Sequence, residues 1–297
     1  MKKKHRAGFV AILGRPNTGK STLLNALLGT KLAIVASKPQ TTRTSIQGVL
    51  TLPGAQIVFI DTPGIHKSDT LLNRRMMSTV RAAAEAPDAV LFVIDVLVPP
   101  TDEDMRALDL AKKAGAPVIA VLNKIDWLKE KPEILKRIEQ YRAWYDFAAF
   151  VPVSARRGAG LDELRDEIVK HLPAGPALFP EDYITDQPER FFAAEIIREK
   201  VLHHTDQEVP HAVAVVIDSW EETPKLIRIA ATIYVEKPGQ KAILIGSGGA
   251  MLKKIGTQAR HDLERSLDRK VFLETFVKVR SRWREDPGFL PLTDWRP

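Results

Sequence analysis

The 297-residue chain contains no cysteine, which excludes disulfides, thiol catalysis and thiolate metal sites. Long apolar runs are also missing, because the most apolar stretch, residues 89–98, is interrupted by Asp95 and is too short to span a membrane. Residues 1–4 resemble the start of a secretion signal, but the apolar run that follows ends at once in a Gly-Arg-Pro-Asn turn. We therefore expect no signal and a cytoplasmic location.

Basic residues are unevenly distributed along the chain. Residues 241–284 carry 11 Lys and Arg against 4 Asp and Glu, whereas residues 181–240 carry 6 against 12. A basic segment beside an acidic one is expected of a localised anion-binding face. A solvated helix face explains the same pattern equally well, so charge alone does not decide between them.

The first two-thirds of the chain alternates apolar strands with amphipathic helices, which predicts an α/β fold with a doubly wound, mostly parallel sheet. Strands are expected at residues 9–13, 45–52, 56–60, 89–93, 118–122 and 150–153. Helices are expected near residues 21–28, 71–86, 102–114, 131–146 and 161–170. In such folds the ligand binds beyond the carboxyl ends of the strands.

Proline and glycine at residues 173–176 break the alternation, so we expect a first domain over 1–175 and a second over 176–297. The second domain is predicted to be α+β, in the order αββααβ. Its expected elements are a helix at 189–202, strands at 211–220 and 226–235, helices at 241–245 and from there to about 267, and a strand at 270–279. The tail, residues 283–297, is expected to be partly irregular.

A phosphate-binding loop with the spacing G-x-x-x-x-G-K-S lies between the first strand and the first helix. Its glycines allow the backbone N–H groups to point at phosphate oxygens, and the helix adds the positive end of its dipole. We expect Lys20 to contact the β- and γ-phosphates and the Ser21 hydroxyl to hold Mg²⁺. The predicted nucleotide-binding residues here are Gly14, Arg15, Pro16, Asn17, Thr18, Gly19, Lys20, Ser21 and Thr22.

Three further motifs follow strands in order, and each predicts a part of the same nucleotide site. After the third strand, an acid and a glycine are expected to meet Mg²⁺ and the γ-phosphate. After the fifth, a buried Asp126 would accept from N1–H and the 2-amino group of guanine and would reject adenine. After the sixth, an alanine N–H is expected to meet guanine O6. The motif residues are Asp61, Thr62, Pro63 and Gly64; Asn123, Lys124 and Asp126; and Ser154 and Ala155.

Residues 39–44 form a polar loop in which a threonine hydroxyl completes the Mg²⁺ shell only while the γ-phosphate is present, as in an order–disorder switch. Together, these elements resemble the translation-factor-like small GTPases. The resemblance implies GTP and Mg²⁺ as ligands, with Thr42 rather than Thr41 at the metal beside Ser21 and Asp61. It also implies catalytic roles for Asn17, Lys20 and Thr42.

One departure concerns catalysis. Ile65 stands where Ras-type GTPases carry the glutamine that orients water, so we expect slow intrinsic turnover. In related GTPases with G-x-P-N-x-G-K-S, the asparagine helps to hold K⁺, and Asn17 matches that position. Stimulation by K⁺ is therefore a hypothesis.

A glycine-rich G-x-x-G loop joins two predicted helices in the second domain, and such loops press against a single-stranded nucleic acid backbone in KH modules. The predicted RNA-binding residues are Gly246, Ser247, Gly248, Gly249, Lys253 and Lys254. The αββααβ order resembles a type II KH fold. The family loop usually reads G-K-G-G, and Ser247 removes one phosphate contact, at a cost of about 1 kcal/mol at low salt.

The whole chain resembles the Era-like family of bacterial ribosome-assembly GTPases, over about residues 8–285. This resemblance implies a monomeric GTP-hydrolysing switch that binds the 3′-end region of 16S ribosomal RNA and assists 30S subunit assembly. It also implies a loose, peripheral contact with the inner face of the cell membrane. The alternatives are a GTPase of RNA modification or of the membrane whose second domain binds protein, and an RNA chaperone that holds GTP only as a structural ligand.

Overall fold

The computed structural model describes residues 4–38, 40–64, 70–128, 130 and 132–295. Its contacts divide the chain into two compact units. The first unit comprises residues 1–33, 42–68 and 75–186, and the second comprises residues 34–41, 69–74 and 187–297.

The first unit is built on a six-stranded sheet, which confirms the predicted α/β, mostly parallel fold. Its strands are β1 (Arg6–Leu13), β2 (Ile46–Leu52), β3 (Ala55–Asp61), β4 (Ala89–Asp95), β5 (Val118–Asn123) and β6 (Ala149–Pro152). The spatial order is β2-β3-β1-β4-β5-β6. Only β2 and β3 pair antiparallel, because the short Pro53-Gly54 turn between them forms a hairpin. The other neighbours are parallel.

Helices connect the strands and cover both faces of this sheet. They are α1 (Lys20–Leu28), α2 (Leu71–Ala83), α3 (Asp102–Lys113), α4 (Pro132–Arg142) and α5 (Leu161–His171). One apolar cluster joins the sheet to α1 and α5, and a second joins its other face to α3 and α4. The start of α3 is fixed by a capping box in which Thr101 and Asp104 each accept from the other's backbone N–H.

Residues 176–186 contact the first unit, although they were expected in the second domain. The side chain of Gln56 accepts hydrogen bonds from the backbone N–H groups of Leu178 and Phe179, at 2.7 and 2.9 Å. Val49 donates to the carbonyl of Ile184 at 2.8 Å. The boundary by contacts therefore lies at 186/187 and the expected one at 175/176, because proline and glycine mark where the helix pattern stops rather than where packing stops.

The second unit has the predicted α+β order with one added helix. Its elements are α6 (Glu189–His204), α7 (Val209–Ala212), β7 (Ala214–Glu222), β8 (Leu226–Val235), α8 (Pro238–Ile245), α9 (Ala250–Leu267) and β9 (Lys270–Val279). The sheet order is β7-β8-β9, with β8 antiparallel to β7 and parallel to β9. The strand expected from residue 211 begins at Ala214, because the residues up to Ala212 form the short α7, whose single turn includes Pro210.

The tail is partly irregular, as expected, but two of its aromatic rings are buried. Trp283 is fully buried, and its indole N–H donates to the carbonyl of Ala212 at 2.7 Å. Phe289 is also buried and packs edge-to-face on Tyr234 and Trp283. These rings anchor short 3₁₀ turns at Trp283–Glu285 and Leu290–Thr293. Among the described residues, no helix has the length and apolar character needed to cross a membrane.

Candidate functional site

The phosphate-binding loop occupies the connection between β1 and α1, where backbone geometry demands its two glycines. Gly14 has φ +150°, and a Cβ there would lie 2.6 Å from the carbonyl oxygen of Val93. Gly19 has φ +96°, and a Cβ there would lie 2.4 Å from the side-chain nitrogen of Asn123. Any larger residue would therefore strain the loop or displace its neighbours.

Lys20 begins α1 and is almost completely buried. Its Nζ donates to the carbonyls of Gly14 and Arg15, at 3.0 and 2.9 Å. Burial lowers the pKa of this ammonium to about 8, although the nearby Asp61 charge acts in the opposite direction. A buried cation at a helix N-terminus, surrounded by glycine backbone, is the arrangement that binds phosphate.

Three oxygen-bearing side chains meet beside this loop. The hydroxyl of Ser21 donates to Asp61 Oδ2 at 2.7 Å and shares a hydrogen bond of 2.7 Å with the hydroxyl of Thr42. Asp61 is fully buried, and burial raises its pKa to about 6 against the lowering effects of the Ser21 hydrogen bond and the Lys20 charge. Its second oxygen, Oδ1, is buried without a hydrogen bond among the described residues.

These donors fit Mg²⁺. Hard cations prefer carboxylate and hydroxyl oxygens, and a bound cation would compensate the buried carboxylate charge. The structure thus brings together Ser21, Thr42 and Asp61, which the sequence placed in three separate motifs.

The rest of the Asp61 motif lies against the loop. Thr62 is buried and donates to the carbonyl of Ile12 at 2.8 Å. A Cβ on Gly64 would lie 2.9 Å from the Pro16 ring, so Gly64 approaches the phosphate-binding loop closely. Ile65, the residue at the expected glutamine position, lies outside the described residues, as does Pro39 at the start of the predicted switch loop.

Asn123 ties together three of the predicted motifs. Its amide nitrogen donates to the carbonyl of Thr18 at 2.8 Å, and its amide oxygen accepts from Ala155 N–H at 3.1 Å. The Ala155 N–H, expected to face guanine O6, is therefore engaged by Asn123 here. Lys124 stands in the left-handed region (φ 71°) and donates from Nζ to the carbonyl of Asn17 at 2.8 Å.

Asp126 is exposed, which corrects the expectation that it is buried. It lies in a one-turn 3₁₀ helix, Ile125–Trp127, that begins after β5 ends and contains no buried residue. Ser154 donates to Asp126 Oδ1 at 2.7 Å, which links the two base-binding motifs. The carboxylate is thus oriented by a neighbouring hydroxyl rather than by burial.

Asp95 and Asp104, which were not predicted as site residues, form ion pairs with Arg15 of the phosphate-binding loop. Arg15 pairs with Asp104 at 3.3 Å and with Asp95 at 3.6 Å, and Lys124 donates to Asp95 at 2.7 Å. Burial raises the pKa of the neighbouring Tyr141 phenol, and the Asp104 charge acts in the same direction. The available signal was that Asp95 ends β4 at the same sheet edge as the predicted motifs.

The G-x-x-G loop of the second unit joins α8 to α9. Gly246, Gly248 and Gly249 all have positive φ, of 70°, 57° and 81°. A Cβ on Gly246 would lie 2.8 Å from that of Met251, whereas Ser247 is exposed. The loop therefore depends on glycine for its conformation.

A shallow groove of about 360 Å³ runs from this loop between α9 and β9. It is lined by Gly249, Leu252, Lys253, Gly256, Thr257, Arg260, Leu273 and Thr275. Lys253 therefore lines the groove, and Lys254, the next residue of α9, is exposed. Arg260 was missed, although it lies on the same helix face as Lys253, seven residues further along.

Comparison with known proteins gives the same assignment for both units. The sequence model of the family described as "50S ribosome-binding GTPase" matches residues 9–124, and that of the KH domain matches residues 208–284. GTPase Era of Geobacter metallireducens is 52% identical, and the alignment covers 96% of each chain. GTPase Era of Staphylococcus haemolyticus is 45% identical over 97% of this chain and 96% of its own length.

Two solved Era structures superpose on the chain, each with a TM-score of 0.94 over 98% of this chain and 99% of the other. One is a point variant of Aquifex aeolicus Era bound to GDP·AlF₄⁻, at 42% identity. The other, at 41% identity, is Era in complex with MgGDPNP and nucleotides 1506–1542 of 16S ribosomal RNA. These full-length similarities confirm the resemblance inferred from the motifs, and the chain belongs to the Era family of GTPases.

Proposed function

We propose that this protein hydrolyses GTP with Mg²⁺, binds the 3′-end region of 16S ribosomal RNA, and assists 30S subunit assembly. The observation that carries the proposal is the oxygen cluster of Ser21, Thr42 and Asp61 beside the buried Lys20. Ser21 and Thr42 would hold Mg²⁺ directly, and Asp61 through its hydration shell. The ion would neutralise charge that develops on the phosphates.

Guanine selection is assigned to Asp126, oriented by Ser154 at 2.7 Å. Its carboxylate accepts two hydrogen bonds, which match the N1–H and 2-amino donors of guanine. Asp126→Asn replaces one acceptor by a donor, so we expect loss of GTP affinity and a gain for xanthosine nucleotides, which carry an oxygen at position 2. Equal affinities of the variant and the parent for GTP, measured with a fluorescent analogue, would contradict this assignment.

Catalysis is proposed to rely on Asn17, Lys20 and Thr42, because Ile65 cannot orient water. The Asn17 backbone has φ 61° and its carbonyl accepts from Lys124, so the residue is fixed within the loop. We propose that the Asn17 side chain helps to hold K⁺. Phosphate release should then be faster in KCl than in NaCl at equal ionic strength, and equal rates would refute the role.

RNA binding is assigned to the groove beside the G-x-x-G loop. Lys253→Ala should weaken binding of an oligonucleotide that spans the 16S 3′ end, because a groove cation that contacts phosphate is lost. Lys225→Ala, the same change in the exposed turn between β7 and β8, is the matched control. Equal RNA affinities of the two variants in an anisotropy titration would show that Lys253 is not part of the RNA-binding site.

The location and assembly state are also proposals. We propose a cytoplasmic location because the proposed target is a ribosomal subunit, and a monomer with a loose peripheral membrane contact because the family resemblance implies both. Light scattering on the purified full chain tests the monomer, and flotation with vesicles of anionic lipid tests the membrane contact.

A further inference from the structure

The connection between α1 and β2 belongs to the second unit over residues 34–38 and 40–41, called here the clamp segment. Ile34 is buried in the apolar core formed with α6. Val35 donates from its backbone N–H to Glu199 Oε1 at 2.8 Å, and its carbonyl accepts from His203 Nε2 at 2.8 Å. Lys38 forms an ion pair with Asp206. Both main-chain and side-chain groups thus attach the clamp segment to α6 and to the residues that follow it.

Arg198 of α6 binds the last two residues of the clamp segment, Gln40 and Thr41. Its guanidinium donates to the carbonyl of Thr41 through Nη2 and to the carbonyl of Gln40 through Nη1, at 3.4 Å for the latter. Glu195, one turn earlier on α6, accepts from Nε and Nη2 at 2.7 and 2.6 Å. Arg198 is only 2% exposed, so these bonds are made away from solvent and the guanidinium has one orientation.

The peptide bond that follows the clamp segment leads directly to a metal-site residue. Thr42 belongs to the first unit and is buried, with its hydroxyl 2.7 Å from that of Ser21. A peptide unit is planar, so the carbonyl oxygen of Thr41 and the nitrogen and Cα of Thr42 lie in one plane. A buried guanidinium that fixes this oxygen therefore also fixes the plane from which the Thr42 side chain extends.

We propose that Arg198 is a positioning residue for Thr42: this buried arginine of helix α6 sets the main-chain orientation of the threonine that is proposed to bind Mg²⁺. The inference rests on the proposed metal role of Thr42. Glu195 serves as the acid that orients the guanidinium. Arg198 would thereby act on the metal site only through the main chain between Thr41 and Thr42.

The test is a Mg²⁺ titration of nucleotide binding by the full chain. Arg198→Lys keeps the positive charge but loses the fork that reaches two carbonyls and Glu195 together. Fluorescent, non-hydrolysable GTP analogue and fluorescent GDP are each titrated with Mg²⁺. We expect the Mg²⁺ concentration at half-saturation to rise about tenfold for the GTP analogue, the equivalent of one charge-assisted hydrogen bond. For GDP it should stay unchanged, because Thr42 is expected to reach the metal only with the γ-phosphate present.

Arg269→Lys is the matched control, since Arg269 also pairs with two acids, Glu222 at 2.8 Å and Glu189 of α6 at 3.2 Å, but does not touch the clamp segment. It should leave both titrations unchanged. An unchanged GTP-analogue titration in Arg198→Lys, or an equal shift for GDP, would overturn the proposal. If Arg198→Lys fails to fold, Glu195→Gln is titrated instead. A shift for the GTP analogue alone is again expected, and no shift, or an equal shift for GDP, would overturn the proposal.

Thr42→Ala separates this inference from the metal assignment. If Thr42→Ala leaves the GTP-analogue titration unchanged, the proposed metal role of Thr42 fails, and the inference fails with it. If Thr42→Ala shifts the titration and Arg198→Lys does not, only the inference fails. In the double variant, Arg198→Lys should add little to the shift of Thr42→Ala, because both changes remove the same metal contact.

Discussion

Asp95 forms ion pairs with Lys124 and Arg15, and we expect these pairs to support nucleotide binding. Its buried carboxylate accepts from Lys124 Nζ at 2.7 Å and lies 3.6 Å from the Arg15 guanidinium. Asp95→Asn keeps the shape and removes the charge. A hydrogen bond between charged groups contributes about 1.5–3 kcal/mol. The Lys124 side chain is 30% exposed, so screening reduces the expected loss to about 1 kcal/mol, or about fivefold in nucleotide affinity.

The assay is equilibrium binding of fluorescent GDP to the full chain. Asp88→Asn is the matched control, because Asp88 is also an acid bonded within the sheet, accepting from Phe9 N–H at 2.7 Å, but precedes β4 rather than ending it. Asp88→Asn should lower stability and leave GDP affinity unchanged. A GDP affinity of Asp95→Asn within twofold of the parent, or an equal loss in Asp88→Asn, would refute the role assigned to Asp95.

Two further predictions concern the second unit. Gly246→Ala should weaken oligonucleotide binding about tenfold, because φ 70° with ψ 177° is strained for alanine. Gly239→Ala is the control, because a Cβ there meets nothing within 4 Å. Equal anisotropy curves for the two variants would contradict the proposed role of the loop geometry in RNA binding. Trp283→Ala should lower the free energy of unfolding by about 3–5 kcal/mol, because it empties a fully buried site. Urea denaturation measures this loss, and a change below about 1 kcal/mol would show that the tail adds little to the core.

Local patterns predicted most of the fold because the central parallel strands are continuous apolar runs and amphipathic helices bury one periodic face. The strands β8 and β9 were predicted with the bounds that the structure has, since turn residues bracket each apolar run. The short helix α7 was missed, because a single turn is too short to show a helical period, and its last two residues, 211 and 212, were assigned to the following strand. The tail is partly irregular, as expected, but its proline content gave no sign that Trp283 is buried.

The nucleotide motifs were predictable because each follows a strand that ends at one edge of the sheet. The hydrogen bonds that connect these motifs to one another were not predictable, because those between Asn123 and both Thr18 and Ala155 join residues far apart in sequence. The burial of charged side chains was also not predictable from the sequence pattern. The helix α6, expected at residues 189–202, buries apolar residues such as Phe192, Ile196 and Ile197. It also buries Arg198 and Glu199, because partners elsewhere in the second unit satisfy them.

Phosphate release from GTP, measured with and without an oligonucleotide of the 16S 3′ end, tests whether this chain is a Mg²⁺-dependent GTPase whose second unit binds that RNA. We expect slow, Mg²⁺-dependent release from GTP, none from ATP, and a rate that changes when the oligonucleotide binds. Absence of release under both conditions would contradict the GTPase claim, and release with neither oligonucleotide binding nor a rate change would contradict the role of the second unit.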